Sequence, residues 1–151
     1  MHMKAVIFGF ALFLGLMAPA SAISKARLES TKERAAASQK LIAFVIMQEC
    51  NNPSCPIAVN RVGDRNASIK RAIPNKGVIV LKLDPEELSN DSTPECVRKT
   101  KSVPCVIITN AACTEVIDSI GAGTDKTRIA EMESKIDSAI KALQSGAVSK
   151  K

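Results

Sequence analysis

The chain has 151 residues, a single histidine (His2), no tryptophan or tyrosine, and a formal charge of +6 from 21 Lys and Arg against 15 Asp and Glu. That length suits one domain. The near absence of histidine excludes Ser-His-Asp and Cys-His chemistry and His-ligated zinc or iron, and the scarcity of rings, with charges of both signs interleaved, excludes nucleic-acid binding by base stacking.

Residues 1–22 read as a signal peptide. Lys4 is the only charge before Lys25, Ala5 to Met17 is apolar or Gly throughout, and Ala18-Pro19-Ala20-Ser21-Ala22 ends in small-x-small form. The apolar run is shorter than the roughly 20 residues a membrane span needs, so no stable membrane insertion is expected once the leader is removed. Residues 23–151 are then the working domain, expected in the periplasm or secreted. Cleavage removes His2, Phe8, Phe10, Phe13 and Lys4 and no acid, so Phe44 becomes the sole aromatic and the formal charge falls from +6 to +5. All five cysteines remain: Cys50, Cys55, Cys96, Cys105 and Cys113. Disulfides are the default in an exported chain, and an odd number leaves at least one thiol free or paired with another molecule.

Residues 23–39 are polar and alanine-rich, and their composition predicts a peripheral helix. Leu41 to Met47 is an unbroken apolar run that predicts a strand buried on both faces. Cys50-Asn51-Asn52-Pro53-Ser54-Cys55-Pro56 follows. Asn and Pro mark a loop, and Pro56 suits the first position of a helix. Cys55 then stands at or beside the helix N-cap, where the helix dipole favours thiolate. Ile57 to Ala72 has a broken helical period, interrupted at Gly63 and Asp64, that predicts one irregular helix or two short ones. Asn66-Ala67-Ser68 fits the N-glycosylation pattern but falls inside that helix.

Pro74 to Gly77 is a turn, and Val78 to Leu83 a second buried strand. Strand, helical crossover and strand make a right-handed parallel unit. Asp84 to Leu88 is a helix start or turn. Its acids lack the spacing of a calcium loop, so a solvated loop is expected. Thr93-Pro94-Glu95 opens a short helix carrying Cys96 and Val97 and ending near Lys101. Val103 to Thr109 is the third strand. Proline belongs at a strand's first residues, which makes Val103-Pro104 a candidate cis bond. A hairpin at Asn110 to Cys113 leads to an antiparallel outer strand, Thr114 to Ile120, whose alternation Ile117 breaks. Thr124 or Asp125 caps an amphipathic helix with Ile129, Met132, Ile136, Ile140 and Leu143 on one face, ended by Gly146.

This order resembles the thioredoxin superfamily from about residue 24 to residue 145. The likeness is carried by Pro94-Glu95, Lys99-Thr100-Lys101-Ser102-Val103-Pro104, the following strand and hairpin, Ile120-Gly121-Ala122 and the last helix. The resemblance implies an α/β domain with a central mixed four-stranded sheet flanked by helices, here with an extra N-terminal helix. It implies catalytic cysteines just after the first central strand, where Cys50 and Cys55 lie. The chain departs from the family's usual two-residue spacing, often preceded by Trp, in having four residues between them, preceded by Gln48-Glu49.

The chemistry implied is thiol–disulfide exchange with protein thiols or disulfides as partners, needing no cofactor. Either Cys55 is the acidic thiolate or Cys50 the exposed attacker, the other resolving the mixed disulfide. Val103, before the cis-Pro104, would offer backbone hydrogen bonds to an extended substrate. Cys96 and Cys105 flank the proline strand and are candidates for a second disulfide, which leaves Cys113 as the odd thiol. The competing reading is a non-catalytic binding or scaffold module in which Cys50–Cys55 merely pins its loop. Thiolates also suit a Cu(I) site, but no spacing such as Cys-x2-Cys is present.

Overall fold

The computed structural model describes residues 25–48, 56–100 and 102–148. It is an α/β domain with one four-stranded mixed sheet and helices on both faces. The strands are β1 (Leu41–Ile46), β2 (Val78–Leu83), β3 (Cys105–Thr109) and β4 (Val116–Gly121), in the order β2-β1-β3-β4. β1 runs parallel to β2, with Leu41 beside Val78 and Ile46 beside Leu83. It runs antiparallel to β3, with Ile42 beside Thr109 and Ile46 beside Cys105, and β3 pairs antiparallel with β4.

Position in the sheet explains the patterning. β1 and β3 are central and buried at every residue, so both read as continuous apolar runs. β2 departs from the expectation of a buried strand. It lies at an edge and alternates, with Leu81 and Leu83 buried while Val80 is 41% exposed and Lys82 faces solvent. β4, the other edge, carries an irregularity: Ile108 pairs with Asp118 but Thr109 pairs with Val116. Ile117 is the skipped residue, so a bulge is what breaks the alternation there.

Helix α1 (Lys25–Ala37) is less peripheral than its composition suggests. It buries Leu28, Thr31 and Ala35, and Leu28 and Ala35 join Ile42, Phe44, Ile46, Leu81, Leu83 and Ile107 on one face of the sheet. It ends in a left-handed Gln39 (φ 51°), with Lys40 N–H donating to the Ala35 carbonyl at 2.9 Å, which turns the chain straight into β1. The one-turn helix α3 (Glu95–Arg98) adds fully buried Val97 to this face.

The opposite face is covered by α2 (Pro56–Arg71), with Ala72 just after it, and α4 (Lys126–Val148), through Ile69, Ala72, Met132 and Ile136 against Leu41, Ala43, Val45, Val106 and Ile108. Burying each of the larger side chains among them, such as Ile69, Met132 or Ile136, is worth about 1.5–3 kcal/mol. α2 is one helix rather than two. Gly63 is exposed in mid-helix, where its cost of about 1 kcal/mol is met by the packing of the C-terminal half. α4 starts at the expected Asp125 cap, whose carboxylate accepts the Arg128 N–H at 2.8 Å, but passes through Gly146 to Val148. Leu143 is 41% exposed there, so the apolar stripe outlasts the sheet it covers.

A 3-10 turn, Pro85–Ser89, follows β2, with the Glu87 carboxylate accepting the Asp84 N–H at 2.7 Å. The Val103–Pro104 peptide is cis, as its sequence position suggested, and β3 begins at the next residue. Among the described residues no helix is long and apolar enough to cross a membrane.

Candidate functional site

Cys50 and Cys55, the expected catalytic pair, lie outside the described residues, as does the expected signal peptide, residues 1–22. The structure does describe the frame on either side of the cysteine segment. β1 ends at Ile46, and Met47 and Gln48 carry the chain out of the sheet. In the antiparallel register Ile46 stands beside Cys105. Continued two residues further, that register sets Gln48 across from Val103.

Gln48 is held by a side chain in place of a strand. Its N–H donates to Asn66 Oδ1 at 2.9 Å, and Asn66 Nδ2 donates to its carbonyl at 2.8 Å. The planar amide of Asn66 has one acceptor and one donor side by side, which is what a strand backbone requires of a neighbour. This clamp also occupies the nitrogen that the Asn-Ala-Ser pattern would present for glycosylation. Gln48 Oε1 is buried without a hydrogen-bond partner, the one such side-chain atom among the described residues.

One residue earlier on α2, exposed Arg65 donates from Nη2 to the Val103 carbonyl at 2.9 Å. Val103 is half-buried and Pro104 buried. The Val103 carbonyl expected to receive an extended substrate therefore already has one donor, with a second lone pair remaining. β4 closes the other side of this segment. A Cβ on Gly121 would lie 3.0 Å from Ser102 Oγ and 3.9 Å from the Pro104 carbonyl, so the absence of a side chain lets β4 lie this close. No motif in the sequence announces the Arg65 contact or the clamping role of Asn66. The available signal was an Asn inside a helix, where its propensity is poor and a tertiary use for its amide is worth seeking.

The remaining cysteines correct one expectation. Cys96 and Cys105 are not bridged, and Cys96, Cys105 and Cys113 are all free thiols. Cys105 lies in the core under α1 and α3, 1% exposed, and burial pushes its thiol up to about 11. Cys96 turns to the β3–β4 hairpin, where its Sγ donates to the Cys113 carbonyl at 3.2 Å. Burial raises both the Cys96 and Cys113 thiols, the latter opposed by the Thr109 hydroxyl, 3.8 Å from its sulfur.

The strongest charge cluster lies away from these thiols. Buried Asp118 on β4 takes Arg128 Nη1 at 2.8 Å, a second bond from Arg128 Nη2, and Lys135 Nζ at 3.3 Å. The Arg128 guanidinium holds its carboxyl below the usual aspartate value. Fully paired on the α4 side, this cluster fastens α4 to the sheet edge. Among the described residues no group of three or more His, Cys, Asp or Glu side chains is arranged to hold a metal ion. Compared with known proteins, the chain matches no family model and no curated protein.

Proposed function

We propose that the chain is a thioredoxin-like domain that, after export to the periplasm or beyond, exchanges disulfides with protein thiols through Cys50 and Cys55. The observation that carries this reading is the meeting of the outgoing end of β1 with the Val103–Pro104 segment at the start of β3. The strand order β2-β1-β3-β4, with β1 parallel to β2 and antiparallel to β3, supports the fold half of the proposal.

Connectivity makes the two cysteines unequal. Cys50 follows Gln48 by two residues, so it is tethered within about 7 Å of a backbone position that Asn66 fixes. Cys55 immediately precedes Pro56, and Pro56 lies nine residues before Arg65 in α2, about 14 Å along the helix axis. Arg65 is the residue that reaches Val103. Cys50 is accordingly assigned as the attacking sulfur and Cys55 as the resolving one. In the forward step the Cys50 thiolate attacks a substrate disulfide and releases one substrate thiolate. The Cys55 thiolate then displaces the second, leaving the Cys50–Cys55 disulfide and a reduced substrate.

An insulin-reduction assay tests this. Wild type is expected to be active, and both Cys50→Ser and Cys55→Ser inactive, with a trapped mixed disulfide accumulating only on Cys55→Ser. A wild type as inactive as both variants refutes it. The non-catalytic reading draws on Arg65, which already occupies the Val103 carbonyl. A Cys50–Cys55 reduction potential below about −300 mV, typical of structural bonds, favours that reading.

A further inference from the structure

The hairpin that joins β3 to β4 holds a cysteine in an unusual backbone conformation. Cys113 has φ 57°, the left-handed region that glycine fills without cost. Asn110 determines the turn. Its carbonyl accepts the Cys113 N–H at 3.0 Å, its Oδ1 accepts the Thr114 N–H at 2.9 Å, its Nδ2 donates to Thr114 Oγ1 at 2.8 Å, and its own N–H donates to Glu115 at 3.1 Å. This turn lies beside α3. Cys96 and Cys113 line one surface cleft with Glu95, Lys99, Thr114 and Val116, and Cys96 Sγ already touches the Cys113 backbone at 3.2 Å.

We propose that Cys96 and Cys113 form a second thiol pair, which an aliphatic disulfide such as oxidised glutathione closes into a bridge between α3 and the β3–β4 hairpin. The half-exposed Cys96 reacts first. Its thiolate attacks one sulfur of the oxidant, forming a mixed disulfide and expelling one thiolate. The Cys113 thiolate then attacks the Cys96 sulfur and expels the second. The oxidant gains two electrons, and the protons lost by Cys96 and Cys113 end on the two released thiols. The bridge ties residues 96 and 113 together around β3 and its Val103–Pro104 start. Because burial raises both thiols, closure accelerates with pH as the thiolate fraction rises, about tenfold per unit below the pKa. Nothing in this pairing depends on Cys50 or Cys55.

The test uses the full chain carrying Cys50→Ser and Cys55→Ser, which leaves three thiols. It is treated with oxidised glutathione, blocked with N-ethylmaleimide and digested with trypsin without reduction. The expected product joins the peptide Leu83–Arg98 to Ser102–Lys126. The second peptide contains both Cys105 and Cys113, so fragmentation must place the link on Cys113. Adding Cys105→Ser should leave the bridge intact, whereas Cys113→Ser or Cys96→Ser should abolish it. Should Cys113→Ser not fold, the Cys105→Ser chain decides alone, since only Cys96 and Cys113 then remain. A link through Cys105 overturns the proposal. So does a Cys96–glutathione adduct that never resolves, or the absence of any oxidation under conditions that oxidise the unfolded chain.

Discussion

Asn66→Ala should loosen the end of β1 that leads into the cysteine segment. The substitution removes two hydrogen bonds of 2.9 and 2.8 Å and leaves both backbone groups of Gln48 without their partner. A typical protein hydrogen bond contributes about 1 kcal/mol net, and an orphaned buried group costs about 1–3 kcal/mol. Gln48 is half-buried, so water takes up part of that loss, and alanine returns about 0.6 kcal/mol of helix propensity. The balance is a destabilisation of about 1–2 kcal/mol, or about 4–8 °C in Tm for a domain of this size. Urea unfolding should show a lower midpoint with an unchanged m value. Asn66→Asp separates a polar requirement from an amide requirement. It keeps an acceptor for the Gln48 N–H but sets a carboxylate oxygen against the Gln48 carbonyl, so it should be no better than alanine. Amide exchange adds a local reading, because the Gln48 N–H should lose its protection in Asn66→Ala, whereas Asn66→Asp still offers it an acceptor. An Asn66→Ala protein within about 0.5 kcal/mol of wild type, or an Asn66→Asp protein as stable as wild type, would refute the clamp.

Asp118→Asn should cost about 2–3 kcal/mol near neutral pH, since it weakens charge-assisted bonds from Arg128 and Lys135 at a buried carboxylate. The Asp118 pKa is depressed in the folded state, so its contribution is complete above about pH 5 and is lost as pH falls through the folded value. Denaturation at about pH 7 and about pH 3 should show the gap between wild type and variant narrowing, and an equal gap at both would count against the ion cluster. Gly77→Ala should cost about 1–3 kcal/mol, because φ is +72° and the added Cβ would stand 2.1 Å from Ile140 Cδ1. Ile140→Val should relieve only the contact part, which a double-mutant cycle reads directly. Cys105 should resist iodoacetamide in the folded chain at neutral pH, being 1% exposed with a thiol pushed up to about 11. Labelling as fast as at Cys96 would contradict its burial. The same raised pKa makes stability fall above about pH 9, where the unfolded thiol ionises first.

The parts of the fold that were legible in the sequence are those whose cause is local or periodic. The run Leu41–Ile46 announced a strand with no solvent face, the 3-4-4 spacing of α4 announced its buried stripe, and a proline heading an apolar run announced an unusual peptide at Val103–Pro104. Errors arose where a remote partner decides. Gly63 and Asp64 leave one irregular helix or two short ones open, because a single sequence cannot show that Ile69 is seated on the sheet and favours one continuous helix. Val78–Leu83 looked fully buried because nothing in six residues tells an edge strand from a central one. The Asn66 clamp spans 18 residues and the Arg65 contact 38, so neither leaves a periodic trace.

The cysteines show most sharply how far spacing and tertiary position can diverge. Cys96 and Cys105 are nine residues apart and flank the proline, which made them natural candidates for a bridge. A strand separates what sequence proximity suggests. Cys105 opens β3, whereas Cys113 follows its far end, about 13 Å of strand and a turn away. The segment between α3 and β3 runs from Lys99 to Pro104, and while Val97 of α3 shares the core with Cys105, Cys96 turns to the hairpin beyond the far end of β3. The cysteine whose backbone Cys96 contacts is therefore the one reached after β3 has crossed the sheet. This distributes the sulfur chemistry in a consistent way. Val103–Pro104, next to the pairing of Ile46 with Cys105 at the outgoing end of β1, is at one end of β3, and the proposed Cys96–Cys113 pair is at the other. Cys105, on the strand between them, is 1% exposed, and burial pushes its thiol up to about 11, so it holds little thiolate at neutral pH. In the proposed chemistry, a disulfide formed at either end is therefore not expected to reshuffle readily through Cys105, and the two proposed exchanges stay separate.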